Sequence, residues 1–263
     1  MDDEDVIGVS MSYHPRVPSA AVLRLDRPRV RNALRSQEMR RLIGYMSDCS
    51  ADPAIKTIVI TGTGSAFTGG ADINEINRLS GDALAAFINQ QVEFLISIVS
   101  TPKIVIAAVN GATAGMGNHI AVCSDLCIAR TDATFNFTGA AKALPSLLFG
   151  TLMLPLTIGM KRAKAIYLRG GKVTADQAVD YGFCNEAVPE GEWEQAIESL
   201  VAEFTERSAM TMAHNKFQLN QPVLQLIGAA KLSGLAGSAA LSTATSIPTG
   251  SLAKLRGSAG ESQ

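Results

Sequence analysis

One histidine stands where a glycine-rich turn enters an apolar segment. The stretch is NGATAGMGNHIAVCSD, Asn110–Asp125, and the histidine is His119. A neutral imidazole accepts a proton near neutral pH and can activate water. The Gly115-Met116-Gly117 turn before it can bring backbone N–H groups close to a ligand. A second glycine-rich stretch, TGTGSAFTGGAD (Thr61–Asp72), also leaves a strand-like run and leads to a helix. Two N–H groups aimed at one point form an oxyanion hole, which an enolate derived from a thioester would need. Two plainer readings stand beside these. Glycines also serve turns alone, and a lone histidine on an apolar helix is often a packing residue.

The elements that must position these groups follow from hydrophobic spacing. AAVLRLDRP (Ala20–Pro28) begins as a β-run and ends at proline. Arg35–Asp52 places Met39, Leu42, Ile43 and Met46 at helical spacing. KTIVITG (Lys56–Gly62) and PKIVIAAVNG (Pro102–Gly111) are continuous apolar runs, as in strands buried on both faces of a parallel sheet. Helices are predicted over 82–100 and 117–124, with Asp72 favouring a helix start. DLCIA (Asp125–Ala129) supplies a third strand. The order βαβαβ predicts an α/β fold with right-handed crossovers. From Pro155 the chain reads mostly helical. A capped helix stops at Gly182, a short strand follows, and a long amphipathic region covers Glu192–Gln221. No internal sequence repeat is visible.

Composition excludes several classes. The 263 residues are 47% hydrophobic with a net charge of −1, enough for a full core. No basic stripe argues for nucleic acid as a partner. The acidic start MDDEDVIG lacks the pattern of a signal peptide, and Thr101-Pro102-Lys103 interrupts the most apolar stretch, so no membrane partner is expected. Cytoplasmic localisation is the expectation. Cys49, Cys123, Cys127 and Cys184 fit neither a zinc spacing nor a disulfide scaffold. Cys123 and Cys127 with His119 admit a metal reading, but no fourth ligand is in sight, and buried thiols are the alternative. The expectation is no metal. The glycine loops match neither a phosphate loop nor a dinucleotide fingerprint.

Four ordered segments resemble the crotonase superfamily (enoyl-CoA hydratase/isomerase). They are Leu23–Leu34, Ile58–Ile76, Pro102–Ala129 and Gly170–Val188, spread over roughly 20–190. The resemblance implies a crotonase-like spiral of repeated ββα units, with a C-terminal helical region that builds trimers and often hexamers. Residues 1–190 would form the core, with 1–12 flexible. Residues 191–255 would form the helical region, and 256–263 a flexible tail. It further implies a coenzyme A thioester as substrate, with no separate cofactor. Carried over by position, the N–H groups of Ala71 and Met116 match the two oxyanion donors, with Gly115 and Gly117 beside the second. Gly69, Gly70, Asp72 and Ile73 fall where the family wraps coenzyme A. Arg27 falls where a basic residue often lies near its phosphates.

The chain departs from this pattern at the acids. Family hydratases use two glutamates; here the first position is His119 and the second is Gly139, in FNFTG (Phe135–Gly139). The turn that follows becomes LPSLLFGT (Leu144–Thr151), bulkier and more apolar, and Met116 replaces a usual glycine. Hydration holds and deprotonates water while carbon is protonated, work suited to two carboxyl groups. One imidazole with an oxyanion hole suits a one-proton reaction: hydrolytic C–C cleavage, decarboxylation or isomerisation. Glu75, Asn118, Asn136 and Lys142 are possible assistants. His14 and His214 read as surface or interface residues. A non-catalytic acyl-CoA binder and a weak hydratase remain alternatives.

Overall fold

The structure, a computed structural model, describes residues 7–137 and 148–232. Two sheets meet along the chain's glycine-rich corners. The larger has six strands in the order β1 (Val9–Tyr13), β2 (Ala20–Leu25), β3 (Thr57–Gly62), β5 (Ile104–Val109), β7 (Leu126–Arg130) and β10 (Glu186–Val188). Only β1 runs antiparallel to its neighbour. The smaller sheet has β4 (Ala66–Thr68), β6 (Ala112–Ala114), β8 (Thr134–Phe137) and β9 (Gly171–Thr174), with β9 antiparallel.

The continuous apolar runs are explained by burial on both faces. Leu23, Ile58, Ile60, Val105 and Ala107 join one core, with Met39, Leu42 and Met46 of helix α1 (Ser36–Ala51). Phe94, Leu95 and Ile98 of α3 (Gly81–Ser100) join the same core. The alternate residues Val22, Val59, Ile106, Ala108 and Ile128 face a second core with Trp193, Ile197 and Val201 of α8 (Trp193–Ala202). Register agrees, since Val22 pairs with Val59 and Val59 with Ile106. Helix α3 has the length and composition to cross a membrane, but it buries one stripe against α1, α4 (Met116–Cys123) and α9 (Ala209–Leu232).

The expected βαβαβ order is corrected in one respect. A short strand intervenes between each long strand and its helix. The chain runs β3, β4, then α2 (Ile73–Ile76) and α3; next β5, β6 and α4; then β7 and β8. Each turn adds one strand to each sheet, so a structural repeat exists without a sequence repeat. After Pro155 the described residues are mostly helical, as expected, with one added strand. Helices α5 (Leu148–Ile158) and α6 (Met160–Arg169) precede strand β9 and helix α7 (Ala175–Tyr181). Thr174 caps α7 in a reciprocal pair with Gln177, and Gly182 ends it at φ +89. Residues 203–208 separate α8 from α9, breaking the single amphipathic region.

Lys216 anchors α9 to this frame. Its buried ammonium donates to the carbonyls of Ile98 and Lys103, each at 2.8 Å, and to Asp125 Oδ2 at 2.6 Å. Asp125 Oδ2 also accepts from Val105 N–H at 2.7 Å. Burial disfavours both charges, drawing the lysine pKa down and the aspartate pKa up.

Candidate active site

The segment bearing Ala71 is held by its backbone partners. Thr68, at the end of β4, accepts the Gly70 N–H at 3.0 Å and donates its hydroxyl to the Asn32 carbonyl at 2.7 Å. Leu34 and Ala71 then form an isolated parallel bridge. Leu34 N–H donates to the Gly70 carbonyl at 2.8 Å, and Asp72 N–H donates to the Leu34 carbonyl at 2.9 Å. The bonded groups therefore belong to Gly70 and Asp72, and the Ala71 N–H points away from Leu34.

Met116 opens α4, where amides have no acceptor within their own helix. Its side chain is buried in the core, so the substitution for glycine adds packing and leaves the amide in place. Gly115 precedes it at φ 52 and ψ −117, a conformation essentially reserved for glycine. Gly70, at φ +92, lies against this turn. A methyl group there would sit 2.8 Å from the Ala114 carbonyl oxygen and 3.0 Å from the Met116 nitrogen. The two glycine corners thus run side by side, each presenting an amide outside its ladder. A pair of such donors can hold a negatively charged oxygen.

His119 follows in the first turn of α4, with its N–H donating to Gly115 at 3.4 Å. Its side chain is almost wholly buried. Burial pushes its pKa down to about 4 from an ordinary 6.5, and a helix N-terminus acts in the same direction. The imidazole is therefore neutral at pH 7.

Arg27 and Asp72 meet, with Arg27 donating to Asp72 Oδ2 at 2.9 Å and to the Ala33 carbonyl at 2.7 Å. Asp72 Oδ1 also caps α2 through the N–H groups of Asn74 and Glu75. Arg27 thus braces the Ala71 segment, while Arg29 and Arg31 of the same turn are exposed. Gly69 N–H donates to the Arg31 carbonyl at 2.7 Å, and Ile73, which opens α2, has 39% of its surface open. Glu75 accepts from Ser36 N–H at 2.8 Å and so ties α2 to the start of α1. Asn118 donates to the Asn136 carbonyl at 2.9 Å, and Asn136 donates to the Thr113 carbonyl at 3.0 Å, pinning α4 to the smaller sheet. Gly139, Lys142 and residues 144–147 of the apolar turn lie outside the described residues.

The surface reading fits His214, which is exposed, but not His14, which is 8% exposed. His14 ends a strand edge and is covered along a groove that Tyr13 and Trp193 also line. Cys123 is buried and its thiol pKa is pushed up, while Cys127 lies in β7 and bonds through its backbone to Asn185.

Two asparagines missed by the sequence reading organise the corners. Asn32, at φ 55, accepts from Arg27 N–H at 2.9 Å and donates to the carbonyls of Thr63, Ala66 and Phe67. Asn110 accepts from Gly62 N–H and donates to the carbonyls of Gly64 and Ala66. For Asn110 the available signal was its place directly before a glycine, in a residue type that bonds to nearby backbone; Asn32, in PRVRNAL, has no glycine near it to mark the turn.

A family profile described as "Enoyl-CoA hydratase/isomerase" matches residues 17–233. The chain belongs to the enoyl-CoA hydratase/isomerase family. Within this family, it is similar to a Rhodobacter capsulatus protein named "Probable enoyl-CoA hydratase". The two are 35% identical over 189 residues, 70% of this chain and 72% of the relative. It is 29% identical over 204 residues to the "Crotonyl-CoA hydratase" of Syntrophomonas wolfei, covering 76% of this chain and 78% of the relative. Among solved structures, an enoyl-CoA hydratase from Mycobacterium avium subsp. paratuberculosis superimposes with a TM-score of 0.77 over 90% of both chains; at 24% identity this shows the fold. A probable enoyl-CoA hydratase/isomerase from Mycobacterium abscessus gives a TM-score of 0.74 at 28% identity over 82% of both chains. The family and its crotonase fold agree with the resemblance read from the four motifs.

Proposed function

We propose that this family member is an enzyme acting on a coenzyme A thioester through an enolate, with His119 moving a single proton. The observation that carries the reading is the neutral, buried imidazole one helical turn beyond two adjoining amides outside their ladders. In this reading the Ala71 and Met116 amides bind the thioester oxygen. Negative charge gathers on that oxygen as the α-carbon loses a proton, carbon dioxide or, to attacking water, an acyl group. His119 accepts the proton, or activates the water that attacks, and returns a proton in the closing step. Names carried by the relatives support a CoA ester as substrate class.

The reaction class is hydrolytic C–C cleavage, decarboxylation or isomerisation rather than standard hydration. Both positions where the motifs carry glutamate in hydratases hold other residues, His119 and Gly139. Glu75 is already bonded to the Ser36 amide. No metal or further cofactor takes part in the proposed chemistry. Gly69, Gly70, Ile73 and Gly115 would line the CoA path. Arg31, exposed and bonded through its carbonyl to Gly69, is better placed for the phosphates than the inward-turned Arg27.

The reading also includes self-association as a trimer or hexamer, supported by exposed Met210, Phe217, Leu219 and Leu226 on α9. A cytoplasmic location is supported by four free, buried cysteines, as expected in a reducing compartment. Steady-state turnover on enoyl-, β-keto- and malonyl-type CoA esters tests the assignment. A one-proton substrate should turn over well, crotonyl-CoA should hydrate poorly, and His119→Ala should abolish the best activity. Full activity in His119→Ala would remove the role given to His119.

A further inference from the structure

The second core stops short of the ends of its strands. Val22, Val59, Ala108 and Ile128 belong to it. Two residues further along the chain in each case, the same face of the sheet carries Arg24, Thr61, Asn110 and Arg130. There a groove of about 500 Å³ opens between the sheet, residues Tyr13–Arg16 and the start of α8. Its volume suits a small organic molecule. Ala71, Met116, His119 and the residues of α9 do not line it, so it is separate from the candidate active site.

The walls of the groove divide by chemistry. Val22, Val59, Trp193 and Ile197 give an apolar bed, and Tyr13 adds a ring with 53% of its surface open. A flat ring packs well against aromatic side chains of this kind. Among the cations, Arg130 is held by Asp132 and Glu190, and Arg16 by Glu198. Arg24 is exposed, and its guanidinium has no partner among the described residues. Glu194 and Glu198 also line the groove, which favours a ligand with one negative charge over the two of a phosphate ester.

His14 lies well away from Arg24. Its N–H donates to the Ala20 carbonyl at 2.8 Å, extending the β1–β2 ladder past Tyr13. Arg24 pairs with Ser10, and the strand rise from Ser10 to His14 is about 13 Å. The His14 ring is 8% exposed, and its Nδ1 is buried with no hydrogen bond among the described residues. Buried polar atoms are normally paired. With no described partner holding it, the ring can turn to offer a nitrogen to the groove, as donor or acceptor.

We propose that this groove binds a small aromatic carboxylate bearing a hydroxyl group at its far end. The carboxylate pairs with Arg24, the ring lies between Tyr13 and Trp193, and the hydroxyl bonds to His14. The proposal goes beyond the reading of His119 and does not depend on it.

Trp193 is the chain's single tryptophan, so its emission reports on the groove in the unlabelled full-length protein. The probes are 3-(4-hydroxyphenyl)propanoate, 3-phenylpropanoate without the hydroxyl, and 3-phenylpropanol without the charge. The first should change Trp193 emission saturably, with a midpoint at about 1 mM or below. The other two should bind about tenfold more weakly, each lacking one polar contact. Arg24→Gln, an exposed change, should weaken the first probe about tenfold. His14→Phe keeps a ring in place and should make the first two probes bind equally. An absent or non-saturating response, an unchanged midpoint in Arg24→Gln, or equal binding of all three probes to the wild type would overturn the proposal. So would displacement of the probe by coenzyme A, which would place it in the candidate active site. Activity of His119→Ala bears on the functional reading alone.

Discussion

The Arg27 guanidinium donates to Asp72 Oδ2 at 2.9 Å, and Asp72 caps the helix that begins two residues after Ala71's bridge to Leu34. A single largely buried ion pair therefore holds both ends of the first glycine corner. Arg27→Met would leave the Asp72 charge uncompensated and cost about 3 kcal/mol of stability. Urea unfolding checks this. The double variant Arg27→Met/Asp72→Asn should recover part of the loss, because no lone charge remains.

His119 links stability to pH. Its pKa is about 4 folded and near 6.5 unfolded, so the unfolded chain binds more protons between these values. The contribution is full above pH 6.5, falls as pH drops towards 4, and levels off below. It amounts to about 3 kcal/mol. His119→Gln should flatten this part of the stability curve, as measured by urea midpoints at several pH values. In catalysis, kcat/KM of the wild type should lack a limb near 6.5 and decline only as pH approaches 4.

Gly115 sits at φ 52 and ψ −117 immediately before the Met116 amide. Gly115→Ala should cost about 1–3 kcal/mol through backbone strain. It should also lower kcat more than it raises KM, because the misplaced amide matters most where charge develops. A change in KM alone would place this turn outside the reacting centre.

Lys216 is the buried cation joining α9 to the carbonyl ends of α3 and to Asp125. Lys216→Met removes three hydrogen bonds and strands the aspartate. The expected loss is about 3–5 kcal/mol. Limited proteolysis should then cut near α9 first, with global unfolding measured by circular dichroism.

On α9, Met210 and Phe217 lie two helical turns apart, as do Leu219 and Leu226, and all four are exposed. Sedimentation velocity should give a trimer or hexamer for the wild type. Phe217→Glu with Leu219→Glu should shift it towards monomer with native circular dichroism. A wild-type monomer at micromolar concentration would contradict the assembly.

The long strands were legible because burial on both faces writes itself as unbroken runs, as in Ile58–Ile60 and Ile104–Val109. Helix α1 was legible from its periodic Met39, Leu42 and Met46. The strands β4 and β6 were not. At three residues each they carry no period, and their glycine-rich settings read as loops. Arg27 could be picked out as a nearby cation, but nothing in LDRP announces that it turns inward to Asp72. The approach of Gly150 to the His119 ring was equally hidden, since only the packing of α4 against α5 brings them together. His14 read as a surface or interface residue near the start of the chain, yet β1 pairs along Val9–Tyr13 and the next residue is buried.

The two glycine corners continue from neighbouring strands of the smaller sheet, β4 and β6. Adjacent strands are spaced by their hydrogen bonds at roughly 4.8 Å, whatever side chains they carry. In the proposed reading, the distance across which the Ala71 and Met116 amides cooperate is thus a gauge set by main-chain pairing. Side chains mounted just past that gauge can be exchanged without resetting it. In that reading a single residue on α4 retunes the chemistry while the proposed grip on the oxygen stays constant, as in a lathe whose tool changes and whose chuck does not.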